Sequence, residues 1–183
     1  MEETILAPTN PYAASKAAAE YIVTSYYRSF KMPVIITRGN NVYGPYQYPE
    51  KIIPKFLWLL KNGKKCTIHG DGKNSRNFLY ISDVVDAFDV VLHKGMIGEV
   101  YNIGSQTEIE NMTVAKTLIG LFGYKPEEYI THVEDRPFND LRYLIDCSKL
   151  RSLGWEQKVH WEEGIKLTCN LHFLFLFILY TRK

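Results

Sequence analysis

The sequence predicts an α/β fold in which helices and buried strands alternate along one domain. A long alanine-rich helical stretch, residues 12–30, is followed by the β-branched run 34–37, which is typical of a strand buried on both faces. The same order recurs where apolar residues at helical spacing over 83–93 precede the strand-like run 100–103. No internal repeat or low-complexity linker interrupts the chain, so we expect a single α/β domain.

Local signals place the first elements. Asn10 and Pro11 together indicate a helix start, because an asparagine can cap the helix and a proline suits its first turn. Glycines, prolines and asparagines are dense over 39–54, where we expect a long functional loop. A short helix over 55–60 should end at Gly63.

The alternation continues through the rest of the chain. Two extended segments, 66–69 and 77–80, flank a glycine-rich turn. The later elements are expected to be a helix over 83–93 capped by Ser82, a strand over 100–103, a helix near 113–121 and a helix from Asp146 to Gly154.

The composition excludes several classes of protein. Of the 183 residues, 46% are hydrophobic and 23% are charged, and 22 basic against 20 acidic side chains leave a net charge of +2. This balance argues against a nucleic-acid partner held mainly by phosphate contacts. Three widely spaced cysteines are too few and too odd in number for a disulfide framework or a zinc site. We expect no metal and a reducing, cytoplasmic compartment.

Neither end of the chain predicts a membrane segment. The first residues lack the basic region and apolar core of a signal peptide. The run 171–180 is almost wholly aromatic and aliphatic, but a membrane-spanning helix needs about 20 apolar residues. The run also lacks a period of 2 or 3.6, which argues against an amphipathic element with a defined buried face. We therefore expect no membrane partner.

Tyr12 and Lys16 form the first candidate catalytic pair. They stand four residues apart on the predicted first helix and so lie on one face of it. A neighbouring ammonium favours the phenolate form of a tyrosine, which can then exchange a proton with a substrate hydroxyl. The same spacing is common in surface tyrosines beside solvated lysines, so the pair alone does not identify a site.

Five further segments give this pair its context. They are 40–45 (NNVYGP), 49–54 (PEKIIP), 76–80 (RNFLY), 101–104 (YNIG) and 135–137 (DRP). With Tyr12 and Lys16, and in this order, they resemble the C-terminal half of an extended short-chain dehydrogenase/reductase acting on nucleotide sugars. The nearest resemblance is to the nucleoside-diphosphate-glucose 4,6-dehydratases, both dTDP-glucose 4,6-dehydratase and the dehydratase part of plant-type UDP-rhamnose synthase.

The resemblance covers about residues 8–166 and implies a Rossmann-like fold with a nucleotide-sugar-binding subdomain. It implies NAD as cofactor, dTDP-glucose or UDP-glucose as substrate, and a 4-keto-6-deoxy sugar as product, in deoxysugar or rhamnose biosynthesis. It also implies a homodimer, in which helix 12–30 would be a contact face that uses Ala17, Ala18 and Tyr26.

The resemblance assigns roles to individual residues. Tyr12 would take the proton of the sugar C4 hydroxyl, and Lys16 would hold the nicotinamide ribose. Asn41 would lie close to cofactor and diphosphate. Arg76 would bind the diphosphate, a role that suits a fixed, multidentate cation. The other implied substrate contacts are Asn40, Glu50, Lys51, Ile52, Thr67, Ile68, His69, Asn111, Asp135, Arg136 and Asn139.

Some positions depart from the family or have simpler explanations. The family often has an aromatic residue where His69 stands, and bacterial dTDP-type enzymes often have histidine in place of Asn139, which slightly favours a UDP sugar. Taken singly, Asn40 and Asn41 can serve a turn, and Arg76 can serve a surface ion pair. The shared order of the segments is what favours the functional interpretation.

Two parts of the family's machinery do not occur in the 183 residues. No glycine loop of the G-x-G-x-x-G or G-x-x-G-x-x-G type is present, and no Thr-Asp-Glu acid/base segment precedes Tyr12. From Leu167 onward the sequence departs from the amphipathic helix usual in the family. We therefore expect residues 1–166 to be a partial epimerase/dehydratase domain, residues 167–183 to be a divergent hydrophobic tail, and the chain alone to be inactive.

Other interpretations remain open from the sequence. UDP-glucuronate decarboxylases and 4-epimerases share the Tyr12, Lys16 and Asn41 positions. A non-catalytic subunit that binds a nucleotide sugar or dimerises is also consistent with the missing glycine loop. The apolar run near the C-terminus can alternatively be a genuine helix that docks on a partner.

Overall fold

The structure is a computed structural model that describes residues 2–135 and 145–180. It confirms the predicted α/β fold. The helices of the described residues are α1 (Pro11–Phe30), α2 (Ile52–Lys61), α3 (Ile81–Lys94), α4 (Asn111–Leu121), α5 (Pro126–Tyr129), α6 (Ser148–Ser152) and α7 (Trp161–Tyr180). Their strands are β1 (Ile36–Gly39), β2 (Asn41–Tyr43), β3 (Cys66–His69), β4 (Ser75–Tyr80), β5 (Val100–Ile103), β6 (Glu108–Glu110) and β7 (Ile130–Val133).

α1 begins and ends where the sequence predicts. Asn10 Oδ1 accepts a hydrogen bond from the backbone N–H of Ala13 at 2.9 Å, and Pro11 occupies the first turn, where no N–H is needed. The helix ends at Lys31, which adopts a left-handed φ of 56° and donates its N–H to the Tyr27 carbonyl.

The strands pair over long distances in the sequence. β1 lies parallel to β5, β2 lies parallel to β4, and β3 lies parallel to β7. β6 adds to β4 in the antiparallel direction. Parallel neighbours require crossover connections, and helices supply them here. This pairing brings the end of β1, the whole of β2 and the glycine turn between β3 and β4 to one side of the domain.

Several local predictions are wrong in part. The strand predicted over 34–37 is β1 at Ile36–Gly39, and none of its residues is fully buried. The helix predicted from Asp146 to Gly154 is the shorter α6. The segment 39–54 is not one long loop, because β2 lies within it and α2 already begins at Ile52. β2 is stabilised by backbone pairing with β4, about 37 residues further on (Asn41 opposite Phe78), which local composition does not encode. Ser82 does not cap α3, since the helix follows β4 directly and its cap position, Tyr80, makes no side-chain cap bond.

Among the residues that the structure describes, the core consists of two hydrophobic clusters. The first lies between α2, α4, α7 and the strands β3 and β4, and it includes an aromatic group in which the rings of Tyr43 and Trp161 lie 5.3 Å apart. The second lies between α3, α6 and β5, around Tyr101 and Leu150. The candidate site described below borders the first cluster.

α7 packs against the first cluster through its first turns. Gly164 allows this approach, because a Cβ there would overlap the Tyr43 hydroxyl. Ile165, Thr168 and Cys169 are at most 3% exposed. Thr168 and Cys169 therefore lie in the core, although they follow the predicted boundary at Lys166. No helix in the described part of the chain is both long and apolar enough to cross a membrane.

Removing residues 171–183 is expected to raise the soluble yield of the chain. The run 171–180 holds three phenylalanines and four leucines without an acid, lysine or arginine, and such a segment promotes aggregation when exposed. A cut after Lys166 should instead lower the free energy of unfolding by about 2 kcal/mol or more, since it also removes buried Thr168 and Cys169. The soluble yield and the thermal melting of the full chain and of the two truncated chains test these expectations. A chain ending at Lys166 that is more stable than the chain ending at residue 170 would contradict the second expectation.

The three cysteines are expected to resist thiol reagents in the folded chain. Cys66, Cys147 and Cys169 are free and buried, and burial raises the pKa of Cys66 from 9.0 to about 11 and that of Cys169 to about 12. Because the thiolate is the reactive form, Cys66 at pH 8 holds about 100-fold less of it than an ordinary thiol. A colorimetric thiol assay with and without urea measures this. Equal rates in both conditions would show that the core is not formed.

Candidate functional site

A cleft of about 700 Å³ lies where β2, β3 and β4 meet the start of α2. Ten of the residues that the resemblance associates with cofactor or substrate line this one cleft. They are Asn40, Asn41, Glu50, Lys51, Ile52, Thr67, Ile68, His69, Arg76 and Asn111. The fold thus brings five separate parts of the chain together, while the binding role of these residues stays a prediction.

Asn40 connects β1 to β2, and Asn41 is the first residue of β2. The backbone N–H of Asn40 donates to the Ile103 carbonyl at 3.1 Å, which extends the β1–β5 pairing by one residue. Asn40 Oδ1 accepts the backbone N–H of Asn41 at 2.8 Å, and Asn40 Nδ2 donates to Asn77 Oδ1 at 3.2 Å. Bonds at both ends of the Asn40 amide fix its orientation at the cleft wall.

Asn77 is a residue of the site that the sequence did not reveal. It is fully buried, and its Nδ2 donates to the carbonyls of Ser105 at 3.0 Å and Thr107 at 3.2 Å. Because an amide has its two donors on nitrogen, these bonds turn Oδ1 toward Asn40. The available signal was an asparagine in a predicted strand, directly before the apolar residues 78–80.

Three cations of the described residues border the cleft. Lys51 and Lys55 stand one turn apart at the start of α2, and Arg76 lies on β4. Arg76 Nη1 donates to the Ser75 carbonyl at 2.7 Å, which orients the guanidinium. Glu50 lies 3.3 Å from Lys51 Nζ and is the one carboxylate among the described residues of the lining. The excess positive charge suits an anionic group such as a diphosphate.

β3 forms another wall of the cleft. Its alternating pattern buries Cys66 and Ile68 in the core and leaves Thr67 and His69 partly exposed. His69 Nδ1 lies 3.3 Å from the Glu134 carbonyl, which holds the ring beside the end of β7. A flat imidazole and a hydroxyl side chain at this wall can contact the face and edge of a nucleobase.

Gln47 is a second cleft residue that the sequence did not single out. Its Nε2 donates to the Val42 carbonyl at 2.7 Å, whereas its buried Oε1 has no hydrogen-bond partner in the described residues. A buried acceptor of this kind suits a donor on a bound ligand. In the sequence Gln47 lies between the segments 40–45 and 49–54, and this position was the available sign that it belongs to the site. The described part of the lining also contains Lys55, Val42, Phe56 and Phe78, to which the sequence analysis gave no role.

Tyr12 and Lys16 lie outside this cleft lining. Both are on the first turns of α1, where the side chain of Tyr12 is 75% exposed. Asp135 also lies outside the cleft lining. It is next to Gly70, and a Cβ added to Gly70 would lie 3.1 Å from Oδ2 of Asp135. Arg136 and Asn139 lie outside the described residues. Across 2–135 and 145–180 no group of three histidines, cysteines or carboxylates is arranged to hold a metal ion.

Comparisons with known proteins identify the family. A family model described as GDP-mannose 4,6 dehydratase matches residues 1–168. The dTDP-D-glucose 4,6-dehydratase of Dictyostelium discoideum is 52% identical over 91% of this chain and 46% of its own length. A trifunctional enzyme of Arabidopsis thaliana is 56% identical over 92% of this chain and 25% of its own length. The first of the three activities in its name is UDP-glucose 4,6-dehydratase.

Solved structures agree with the sequence relatives. The dTDP-glucose 4,6-dehydratase of Bacillus anthracis, crystallised with NAD, is 44% identical and superimposes with a TM-score of 0.89. The match covers 95% of this chain and 55% of that one. This chain therefore spans between a quarter and about half of the length of these relatives. The chain belongs to the nucleotide-sugar 4,6-dehydratases of the extended short-chain dehydrogenase/reductase family, as its segment order indicated.

Proposed function

We propose that this chain is the nucleotide-sugar-binding part of an NAD-dependent nucleoside-diphosphate-glucose 4,6-dehydratase. The whole protein converts dTDP-glucose or UDP-glucose to the 4-keto-6-deoxy sugar. The observation that carries this proposal is the cleft in which Asn40, Asn41, His69, Arg76 and six other predicted residues meet. The names of the relatives, which are dTDP- and UDP-glucose dehydratases, support the substrate class.

The cleft divides into two regions of different chemistry. The cations Lys51, Lys55 and Arg76 fit the diphosphate, because they supply several donors and an excess of positive charge. Thr67 and His69 on β3, which forms another wall of the cleft, fit the nucleobase. Family membership and these two regions together favour a nucleoside diphosphate sugar over a simple sugar phosphate.

The residues at the start of α1 fit the nicotinamide end of NAD. Tyr12 and Lys16 present a hydroxyl and an ammonium from one face of the helix, and both groups match ribose hydroxyls as hydrogen-bond partners. Their exposure leaves room for a ligand beside them. Asn41 at the start of β2 would complete the contact. When bound, NAD accepts hydride from the sugar C4 and later returns it to C6.

The chain's own residues then have separate tasks. Tyr12 accepts the proton of the C4 hydroxyl as that carbon is oxidised, and Lys16 stabilises the phenolate by its charge. Arg76 and Lys51 hold the diphosphate so that the sugar is oriented toward Tyr12. The loss of water across C5 and C6 needs a further acid and base, which the Thr-Asp-Glu segment supplies in the family.

Activity requires a protein that carries these other parts. We define the completed protein as this 183-residue chain joined behind the part of the Dictyostelium relative that precedes the matched segment. Incubation of the completed protein with UDP-glucose and with dTDP-glucose tests the proposal. The comparison also shows which nucleobase, uracil or thymine, the protein accepts. Formation of a 4-keto-6-deoxy sugar supports it, whereas a C4 epimer or a decarboxylated pentose as product would place the chain with the epimerases or decarboxylases.

We also propose that the complete protein is a cytoplasmic homodimer whose contact includes α1. Tyr26 on this helix is 50% exposed, and Ala18 is exposed beside it. Ala17, which we also expected in the contact, is buried against the chain's own residues and does not contribute. The free state of all three cysteines favours a reducing compartment.

The completed protein is therefore expected to be a dimer at micromolar concentration, and Tyr26→Glu is expected to weaken the dimer by placing a charge in an apolar contact. Light scattering over a concentration series measures the mass. Tyr124→Glu, a similar change at an exposed tyrosine outside α1, serves as the control. A monomer at all concentrations, or equal effects of the two substitutions, contradicts the proposed contact.

A further inference from the structure

We propose that Glu20 and Arg38 are positioning residues for the reaction. Their ion pair sets where α1 presents Tyr12 and Lys16 relative to Asn41 and the cleft. The inference rests on the proposed function and adds two residues to which the segment resemblance gives no role.

The contact between the two side chains is bidentate. Arg38 Nε donates to Glu20 Oε2 at 3.0 Å, and Arg38 Nη2 donates to Glu20 Oε1 at 2.5 Å. The third nitrogen, Nη1, donates to the Glu2 carbonyl at 2.8 Å. All three nitrogens of the guanidinium are thus engaged, which fixes its plane. The hydrogen bond to Glu20 also raises the pKa of Arg38.

The pair joins the catalytic helix to the strand that leads into the cleft. Tyr12, Lys16 and Glu20 follow one another at four-residue spacing and so form one stripe along α1. At about 1.5 Å per residue, Glu20 lies about 6 Å along the helix axis from Lys16. Arg38 stands on β1, two residues before Asn40.

Apolar packing holds this half of α1 weakly. Of the 20 residues in the helix, Ala17 alone is buried. A second contact lies near the other end, where the ring of Tyr27 rests on Gly98 so closely that a Cβ there would overlap it. That contact lies 15 residues beyond Tyr12, so the first turns depend mainly on half-buried Ala13, buried Ala17 and the Glu20–Arg38 pair.

The surroundings of the pair distinguish it from ordinary surface pairs. The side chains of Arg38 and Glu20 are 21% and 16% exposed, so solvent screens their attraction only in part. The pair of Lys158 with Asp86 has a short distance of 2.6 Å, but its side chains are 65% and 43% exposed. Exposed pairs of that kind contribute little to positioning, which makes Asp86→Asn a matched control.

The first test uses hydrogen–deuterium exchange of the 183-residue chain. Glu20→Gln, Arg38→Met and the double variant are compared with Asp86→Asn. The account predicts faster exchange of the amides in the first half of α1 and unchanged exchange in β3 and β4. The double variant should exchange like Arg38→Met, because that single change already removes the contact with Glu20 together with the bond to the Glu2 carbonyl. Unchanged exchange in α1, or equal acceleration throughout the chain, overturns the proposal.

The second test uses steady-state kinetics of the completed protein. Each single change should lower kcat about 10- to 100-fold, because a displaced Tyr12 meets the sugar less often in the reactive geometry. KM for the nucleotide sugar should stay within about 2-fold, and Arg38→Lys should recover part of kcat. A rise of KM at constant kcat, or a double variant whose loss is the product of the single losses, overturns the positioning role.

The two tests separate this inference from the proposed function. If the unsubstituted completed protein forms no 4-keto product, the proposed function fails. The exchange experiment still decides whether Glu20 and Arg38 hold α1.

Discussion

Replacement of Tyr12 by phenylalanine in the completed protein is expected to lower turnover of the nucleotide sugar by about 10²- to 10⁴-fold. The change deletes the hydroxyl that we propose takes the C4 proton, and it leaves the helix and the ring in place. Because Tyr12 lies outside the lining of the candidate cleft, the affinity for UDP or dTDP should remain nearly unchanged. Product formation and nucleotide binding by calorimetry measure the two quantities separately.

Tyr21→Phe is the matched control for this experiment. Tyr21 lies on the same helix, is 58% exposed and stands outside the stripe formed by Tyr12, Lys16 and Glu20. Its substitution should leave turnover within about 2-fold of the unsubstituted protein. A similar loss of turnover in both variants, or loss of nucleotide affinity with Tyr12→Phe, would make the role of Tyr12 structural.

Replacement of Arg76 by methionine is expected to weaken binding of UDP or dTDP to the 183-residue chain by about 10- to 100-fold. A hydrogen bond to a charged group contributes about 1.5–3 kcal/mol, and each 1.4 kcal/mol corresponds to a factor of ten. Methionine keeps much of the apolar stem and removes the charge. The affinity for the nucleoside alone should not change, because uridine and thymidine lack the diphosphate.

Lys73→Met controls for the loss of a nearby positive charge. Lys73 lies on the turn between β3 and β4, outside the cleft lining, and its Nζ pairs with Asp71 at 3.1 Å. Its removal should change the affinity for UDP by less than about 2-fold at physiological salt. Equal weakening by both substitutions would indicate a general charge effect, and equal weakening of uridine binding by Arg76→Met would indicate a disturbed cleft.

Local chemistry made much of the fold predictable. Some signals act within a few residues, so the sequence shows them directly. They are the proline and the capping asparagine at the start of α1, the β-branched residues of β5 and the glycine that follows the end of α2. The bounds of β3 and β5 agree with the structure, and α2 begins three residues before its predicted start. Ten of the residues that line the candidate cleft were named from the sequence for a different reason, since the resemblance to a known family assigns them.

Long-range contacts explain what the sequence did not reveal. β2 lies in a stretch rich in glycine and proline and forms only because β4 offers it a pairing edge. The role of Asn77 depends on the carbonyls of Ser105 and Thr107, about 30 residues further on. The Glu20–Arg38 pair spans 18 residues and two kinds of secondary structure. In each case the partner that gives the residue its function is distant in the sequence.

The most direct test of the proposed dehydratase is the product formed by the completed protein from UDP-glucose and dTDP-glucose. The account predicts a 4-keto-6-deoxy sugar from at least one of them, with the hydride from C4 recovered at C6. The 183-residue chain alone should form no product and retain no NAD, because it has no glycine loop and no Thr-Asp-Glu segment. Deuterium placed at C4 of the substrate and located by mass spectrometry and NMR makes the measurement. A folded, NAD-containing completed protein that leaves both sugars unchanged, or that returns the label to C4 as an epimer, would contradict the account.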